Sequence, residues 1–204
     1  AAVNGAAFGA FANSGQICMS TERLVVDEKI ADEFVAKFAA KTKQLSAGDP
    51  CVTGDCIIGP MVSPNSGDRI NALFKDAIDK GAKVVCGGMA EGAVMPATIL
   101  DHVTANMQIY DEETFGPIAP IAPFDTVDEV LQRANALPFG LASFVFTRAS
   151  TLQALPRPVL APRVAAMWDA AVTADTLSLF RAEALASVGV LCGECFRLAD
   201  GRVG

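Results

Sequence analysis

Short β-branched runs and longer stretches with apolar residues at helical spacing follow one another along the chain. The helical spacing is clearest between residues 29 and 45, where Ile30, Phe34 and Phe38 fall on one face. Helices are predicted over residues 1–13, 29–45, 64–80 and 126–134, and strands over 23–26, 83–86, 94–100, 118–124 and 143–147. Strands that alternate with covering helices predict an α/β fold built on a doubly wound, largely parallel sheet.

Local signals mark the ends of several of these elements. Ser63 and Pro64 suit the N-cap and the first helical position, and residues 126–129 form a capping box. We expect the strand over 83–86 to be buried, and the strand over 118–124 to be interrupted by its two prolines.

The last quarter of the chain has a different character. Pro156, Pro158 and Pro162 exclude a continuous helix there, and residues 176–187 offer at best one amphipathic helix. We therefore divide the chain into a domain over residues 1–148 and a divergent C-terminal tail over 149–204, which we expect to be poorly ordered.

Composition narrows the possible functions. A net charge of −7 argues against nucleic acid as a partner, and no apolar run is long enough to span a membrane. Six irregularly spaced cysteines without an export signal favour a reducing, cytoplasmic location. Cys192 and Cys195 form a lone C-x-x-C pair and His102 is the single histidine, so we predict no metal site.

One cysteine stands apart from the others by its surroundings. Residues 11–23 read Phe-Ala-Asn-Ser-Gly-Gln-Ile-Cys-Met-Ser-Thr-Glu-Arg, which places Cys18 on a small polar turn before a strand. A thiol on such a turn can be reached by substrate and can serve as a nucleophile. The alternative is that Cys18 is an ordinary buried cysteine.

A second segment decides between these readings. Residues 112–117 read Glu-Glu-Thr-Phe-Gly-Pro, and with Asn13, Gly15, Gln16, Cys18 and Arg23 they resemble the two signatures of the aldehyde dehydrogenase superfamily. The stretches Gly48-Asp49-Pro50, residues 58–62 and residues 138–142 are also similar to that family's catalytic domain. The resemblance covers residues 1 to about 152.

The resemblance implies the chemistry of the site. Cys18 would be the nucleophile, forming a thiohemiacetal and then a thioester as an aldehyde is oxidised to a carboxylic acid. NAD or NADP would be the cofactor, with Glu113 on the nicotinamide ribose hydroxyls and Phe115 beside the nicotinamide. Asn13 and Gln16 are expected mainly to hold the turn.

Further expectations concern the substrate and the whole protein. Residues 16–23 and 100–104 are similar to members that act on aromatic aldehydes of the salicylaldehyde and vanillin type, whereas residues 119–142 look closer to semialdehyde-oxidising members. Arg23 is expected to pair with a carboxylate, and His102 to be a surface residue. The resemblance also implies a homo-oligomeric full-length protein.

Two other classes of function stay open at this point. The first is a cofactor-independent thiol hydrolase or acyltransferase that uses Cys18, and the second is a non-catalytic truncated fragment. The family's water-activating glutamate and an asparagine that binds the oxyanion would both lie upstream of Cys18. We therefore expect the isolated chain to be inactive as a dehydrogenase.

Overall fold

The computed structural model describes residues 2–134, 136, 143–146 and 188–191. The helices are α1 (Ala2–Phe11), α2 (Glu28–Thr42), α3 (Pro50–Thr53), α4 (Pro64–Asp79), α5 (Gln108–Asp111) and α6 (Val127–Ala134). The strands are β1 (Arg23–Asp27), β2 (Lys83–Cys86), β3 (Thr98–Asp101), β4 (Ile118–Phe124), β5 (Ser143–Phe146) and β6 (Val188–Leu191). A 3₁₀ turn over Ala12–Gly15 follows α1 directly.

The described strands form one sheet in the order β2-β3-β4-β1-β6-β5. Every neighbouring pair is parallel except β2 and β3, which are antiparallel. The predicted α/β fold with a largely parallel sheet is therefore confirmed.

The two largest apolar clusters of described residues lie on opposite faces of this sheet. One joins α1 and α2 to residues such as Val26, Ile99 and Ile121, and in it Phe38 stacks on both Phe11 and Phe34. The other joins α4 and α5 to residues such as Leu100 and Ile118, next in sequence to residues of the first core. Because successive residues of a strand point to opposite faces, helices on both faces bury both sets.

The predicted capping signals are used. Ser63 Oγ accepts a hydrogen bond from the N–H of Ser66 at 3.3 Å, and α4 begins at Pro64. At α6, Thr126 Oγ1 accepts from the N–H of Glu129 at 3.2 Å, and the Glu129 carboxylate accepts from the N–H of Asp125 at 2.9 Å. These side chains satisfy backbone donors that a helix leaves without intrahelical partners.

Two strand predictions were wrong in detail. Lys83 and Val84 of β2 are exposed, because β2 is the antiparallel edge of the sheet and not one of its inner strands. The strand β4 runs through both prolines without interruption: Pro120 pairs with Leu100 of β3, and Pro123 pairs with Val26 of β1.

The strand β6 lies within the segment that the sequence analysis treated as a tail, and no strand was predicted there. It inserts between β1 and β5 and runs parallel to both. The possible helix over 176–187 lies outside the described residues, and the domain boundary at 148 stays a prediction. None of the described helices is long and apolar enough to cross a membrane.

Candidate active site

The cysteine segment begins with a strained backbone turn. Asn13, Ser14 and Gly15 have φ angles of 50°, 57° and 69°, so three consecutive residues lie in the left-handed region. Only glycine enters this region without steric cost, and strain of this kind is found at functional sites. The turn ends α1 sharply and redirects the chain toward Cys18.

Three side-chain contacts hold this turn. Asn13 Nδ2 donates to the carbonyl of Gln16 at 3.3 Å, and Ser14 Oγ donates to the carbonyl of Gly59 at 3.0 Å. Gln16 Oε1 accepts from the N–H of Val62 at 2.8 Å. The structural role predicted for Asn13 and Gln16 is confirmed, since both fix the turn against itself or against the 59–62 segment.

Cys18 lies on a second turn, immediately after the first. The N–H of Ser20 donates to the carbonyl of Ile17 at 2.9 Å, which places Cys18 and Met19 at the two central positions of a β-turn. The Cys18 thiol is free and exposed, so the interpretation as a buried cysteine is wrong. Within the described part of the chain, the Cys18 N–H has no hydrogen-bond acceptor.

The second signature forms a loop over residues 112–117 that joins α5 to β4. Glu113 is exposed and Phe115 keeps 37% of its surface accessible, with a left-handed φ of 43°. Thr114 between them is 1% exposed. The loop therefore points the two predicted cofactor-binding side chains toward solvent and anchors itself through the residue between them.

Arg69 of α4 binds the same loop through its backbone. Its Nη1 donates to the carbonyl of Glu113 at 3.0 Å, and its Nη2 donates to the carbonyl of Thr114. The Glu113 carboxylate itself has no hydrogen-bond donor among the described residues. Its two oxygens are therefore free to accept hydrogen bonds from a ligand.

The two signature segments touch each other through glycine backbones. A Cβ atom added at Gly15 would lie 2.1 Å from the carbonyl oxygen of Gly116. A Cβ atom added at Gly116 would in turn lie 2.1 Å from Cδ1 of Ile70. Glycine is required at Gly15, where the obstacle is backbone and φ is 69°, whereas a side chain at Gly116 would have to displace the end of the Ile70 side chain.

Glu22 joins the same two segments by hydrogen bonds. Its Oε2 accepts from the Thr114 N–H at 2.7 Å and from the Thr114 hydroxyl, and its Oε1 accepts from the Phe115 N–H at 3.2 Å. Burial raises the pKa of the Glu22 carboxyl above its ordinary value, the hydrogen bonds from Thr114 and Phe115 lower it, and the nearby Glu113 raises it.

Arg23 is buried beside this contact, at 5% exposure. Its guanidinium carbon lies 4.1 Å from the centre of the Tyr110 ring, and Nη1 donates to the carbonyl of Arg133 at 3.1 Å. The carboxylate partner expected for Arg23 is Asp111, at 3.9 Å from Nη2. Burial lowers the pKa of Arg23 because the guanidinium is removed from water. The Tyr110 ring and the Arg133 carbonyl replace part of the lost hydration.

His102 has the surface role expected of it. Its Nδ1 lies 3.0 Å from Oδ2 of Asp101, and half of its side chain is exposed. Among the described residues, no group of three or more histidine, cysteine or acidic side chains is arranged to hold a metal ion.

Glu22, Thr114 and Arg69 belong to the site but were not predicted from the sequence. Glu22 and Thr114 both stand inside the quoted motifs. No local signal indicates that Glu22 accepts a hydrogen bond from Thr114, which lies 92 residues away. Arg69 lies on a helix that was predicted only as a covering element. Arg69 is one of several exposed polar residues on that helix, so its sequence position alone does not distinguish it.

Comparison with known proteins agrees with this geometry. The model of the aldehyde dehydrogenase family matches residues 1–158, so the chain belongs to the aldehyde dehydrogenase family. It is 72% identical over 148 residues to salicylaldehyde dehydrogenase of Pseudomonas putida, covering 72% of this chain and 31% of that protein. It is 50% identical over 148 residues to vanillin dehydrogenase of Pseudomonas fluorescens, covering 72% of this chain and 30% of that protein.

Solved structures show the same relationship. A salicylaldehyde dehydrogenase from Pseudomonas putida G7, complexed with salicylaldehyde, superposes with a TM-score of 0.71 at 54% identity, covering 99% of this chain and 37% of that one. An NADP-dependent glyceraldehyde-3-phosphate dehydrogenase from Bacillus halodurans C-125, complexed with NADP, gives a TM-score of 0.69 at 32% identity, covering 74% and 31%. The chain spans about a third of the length of the curated relatives it matches.

Proposed function

We propose that this chain is the catalytic portion of an NAD- or NADP-dependent aldehyde dehydrogenase that oxidises an aromatic aldehyde to its carboxylic acid. The observation that carries the proposal is the junction of the two signature segments, where an exposed thiol and a loop with a free carboxylate are held by the same contacts. The full-length protein is the unit to which we assign the activity.

Cys18 is the nucleophile in this proposal. Its thiolate adds to the aldehyde carbon, so a carbon–sulfur bond forms and the carbonyl electron pair moves onto oxygen. The Cys18 N–H, which has no acceptor among the described residues, would donate to that oxygen, and one such donor contributes about 3 to 4 kcal/mol in acyl-transfer chemistry. Loss of hydride from the carbon leaves a thioester, and water then releases the acid and returns the thiol.

The residues of the 112–117 loop suit a nicotinamide cofactor. Glu113 presents two carboxylate oxygens without donors among the described residues, which matches a pair of ribose hydroxyls. Phe115 offers an exposed aromatic face two residues away. NAD or NADP, when bound, accepts the hydride that the aldehyde carbon loses.

An aromatic aldehyde is favoured over an aliphatic one by two observations. The relatives with 72% and 50% identity are a salicylaldehyde and a vanillin dehydrogenase. Met19, which follows the nucleophile on its turn, is a partly exposed apolar side chain. A thioether is well suited to lie against an aromatic ring.

The proposal extends to the setting of the protein. Cys18, Cys51, Cys56 and Cys86 are all free thiols, as a reducing cytoplasm requires. The full-length protein is proposed to be a homo-oligomer, which light scattering of the purified protein would measure directly.

Turnover in the full-length protein tests the function. Salicylaldehyde, vanillin and an aliphatic semialdehyde are each offered with NAD and with NADP, and the absorbance of the reduced nicotinamide is followed. We expect turnover with the aromatic aldehydes, its loss in Cys18→Ser, and its retention in Cys51→Ser, which removes another exposed thiol. Ester hydrolysis without cofactor and without aldehyde oxidation would instead identify a thiol hydrolase.

A further inference from the structure

We propose that Glu22 is a positioning residue that fixes the 112–117 loop to the cysteine turn, so that the cofactor-binding carboxylate and the nucleophile keep one relative position. The inference rests on the proposed function, because the position of the loop matters for activity only if Glu113 binds the cofactor. Glu22 itself is not placed against substrate or cofactor.

Glu22 has a fixed place beside the strand β1. It is the last residue before β1, which pairs in parallel with β4 on one side and with β6 on the other. Four residues earlier in the chain lies Cys18, on the turn closed by the bond between Ser20 and Ile17. Glu22 is therefore held next to an inner strand of the sheet, and its side chain connects that fixed backbone to the neighbouring loop.

The hydrogen bonds of the Glu22 carboxylate all come from one loop. Three donors converge on its two oxygens, and all three belong to Thr114 and Phe115, the residues that directly follow Glu113. An ionised carboxylate can accept at both oxygens at once, whereas an amide of the same size accepts at only one. A glutamine here would turn its NH₂ group toward one of the N–H donors.

Other contacts of the loop separate this role from general stability. The loop is also held by Arg69, which donates to two of its carbonyls, and by Gly116, which packs against Ile70 and Met61. Loss of the Glu22 contacts leaves those anchors in place. The expected effect is a loop that is shifted or less well defined around Glu113, within a domain that stays folded.

Four variants of the full-length protein test the proposal. Glu22→Gln keeps the size of the side chain and removes one acceptor, and Thr114→Val removes the hydroxyl donor and keeps the backbone donor. Thr114→Ser restores that hydroxyl. Glu91→Gln is the matched control, since it neutralises an exposed glutamate outside the site.

Cofactor affinity and thiol reactivity are measured on each variant. We expect Glu22→Gln to weaken the Kd for NAD or NADP about five- to tenfold, Thr114→Val to weaken it less, and Thr114→Ser and Glu91→Gln to stay within about twofold of the parent. The rate of Cys18 alkylation is expected to stay within about twofold in all four. A Kd in Glu22→Gln equal to that of Glu91→Gln would overturn the proposal.

Hydrogen exchange of the Thr114 and Phe115 amides separates this inference from the proposed function. Both amides are expected to be protected in the parent 204-residue chain and to exchange faster in Glu22→Gln. If the full-length parent binds no cofactor, the proposed function is wrong. The positioning role is then wrong as well, even if exchange of the Thr114 and Phe115 amides confirms their hydrogen bonds to Glu22. If the parent binds cofactor and the two amides exchange alike in both proteins, the positioning role alone is overturned.

Discussion

The Glu22 carboxylate accepts hydrogen bonds from both the N–H and the hydroxyl of Thr114, although the two residues are 92 positions apart in the sequence. This contact ties the segment that carries Cys18 to the loop that carries Glu113. The close approach of Gly15 to Gly116 ties the same two segments a second time. The proposed nucleophile and the proposed cofactor ligand are therefore positioned by direct contacts between their own segments.

The first prediction concerns the order in which the cysteines react. A limiting amount of iodoacetamide at neutral pH is expected to modify Cys18 before Cys86, because Cys18 is exposed whereas burial raises the pKa of the half-buried Cys86 thiol. Peptide mass spectrometry identifies the modified residue. Cys51 reports the rate of an exposed thiol outside the turn, and faster modification of Cys86 would remove the basis for choosing Cys18.

The second prediction concerns the cofactor. Glu113→Gln in the full-length protein is expected to weaken NAD or NADP binding by about 1 to 3 kcal/mol, because the amide replaces an acceptor with a donor. Alkylation of Cys18 should be unchanged, since the structure records no hydrogen bond from Cys18 to the Glu113 side chain among the described residues. Equal cofactor titrations for variant and parent would exclude Glu113 from the site.

The third prediction concerns the glycine contact. Gly15→Ala is expected to destabilise the chain by about 1 to 3 kcal/mol, since the residue has a φ of 69° and its Cβ would lie 2.1 Å from the Gly116 oxygen. Urea unfolding followed by circular dichroism measures the difference. Gly88→Ala is the control, because open space surrounds its Cβ position and its φ is not in the left-handed region; similar losses in both variants would contradict the steric explanation.

The fourth prediction concerns acid stability. The pKa of Asp76 is lowered by its hydrogen bond with Lys80 and by the N–H of Gln108, which donates to Oδ2 at 2.8 Å. A lowered pKa in the folded state adds stability above the ordinary value of 3.8, and this stability is lost as the pH falls through the lower, folded-state value. Asp76→Asn should therefore be less stable than the parent at pH 7, with the difference shrinking in acid.

Unfolding free energies of Asp76→Asn measured between pH 7 and pH 3 check this expectation. Asp79→Asn serves as the control, since the Asp79 carboxylate is exposed on the same helix and has no hydrogen bond or ion pair within the described residues. A difference between Asp76→Asn and the parent that stays constant across this range would show that the carboxylate charge is not the cause.

Much of the fold could be predicted because its signals are local. The helical spacing of Ile30, Phe34 and Phe38 reflects burial of one face of α2, and these three side chains are in the core. Ser63 caps α4 through a bond to Ser66, three residues away. Such signals depend on neighbours within one or two turns of helix, so a single sequence contains them.

The errors arose where distant parts of the chain decide the outcome. The exposure of β2 follows from its position at the edge of the sheet. Its β-branched sequence predicts a strand but does not indicate whether that strand is at the edge or inside the sheet. Pro120 and Pro123 of β4 stand opposite Leu100 of β3 and Val26 of β1, and no local signal in the sequence indicates these pairings. The same distinction applies to the site. Cys18, Glu113 and Phe115 stand in recognisable motifs and could be predicted, whereas Glu22 acts as an acceptor only because folding brings the two motifs together.

The position of β6 has a consequence for how the protein is made. During synthesis, residues 143–146 leave the ribosome more than forty residues before residues 188–191. Until the later segment arrives, neither β5 nor the edge of β1 that β6 will occupy has a strand partner among the described strands. Exposed strand edges are sites of aggregation, so the nascent chain needs protection at the strand that follows Cys18 until residues 188–191 have left the ribosome.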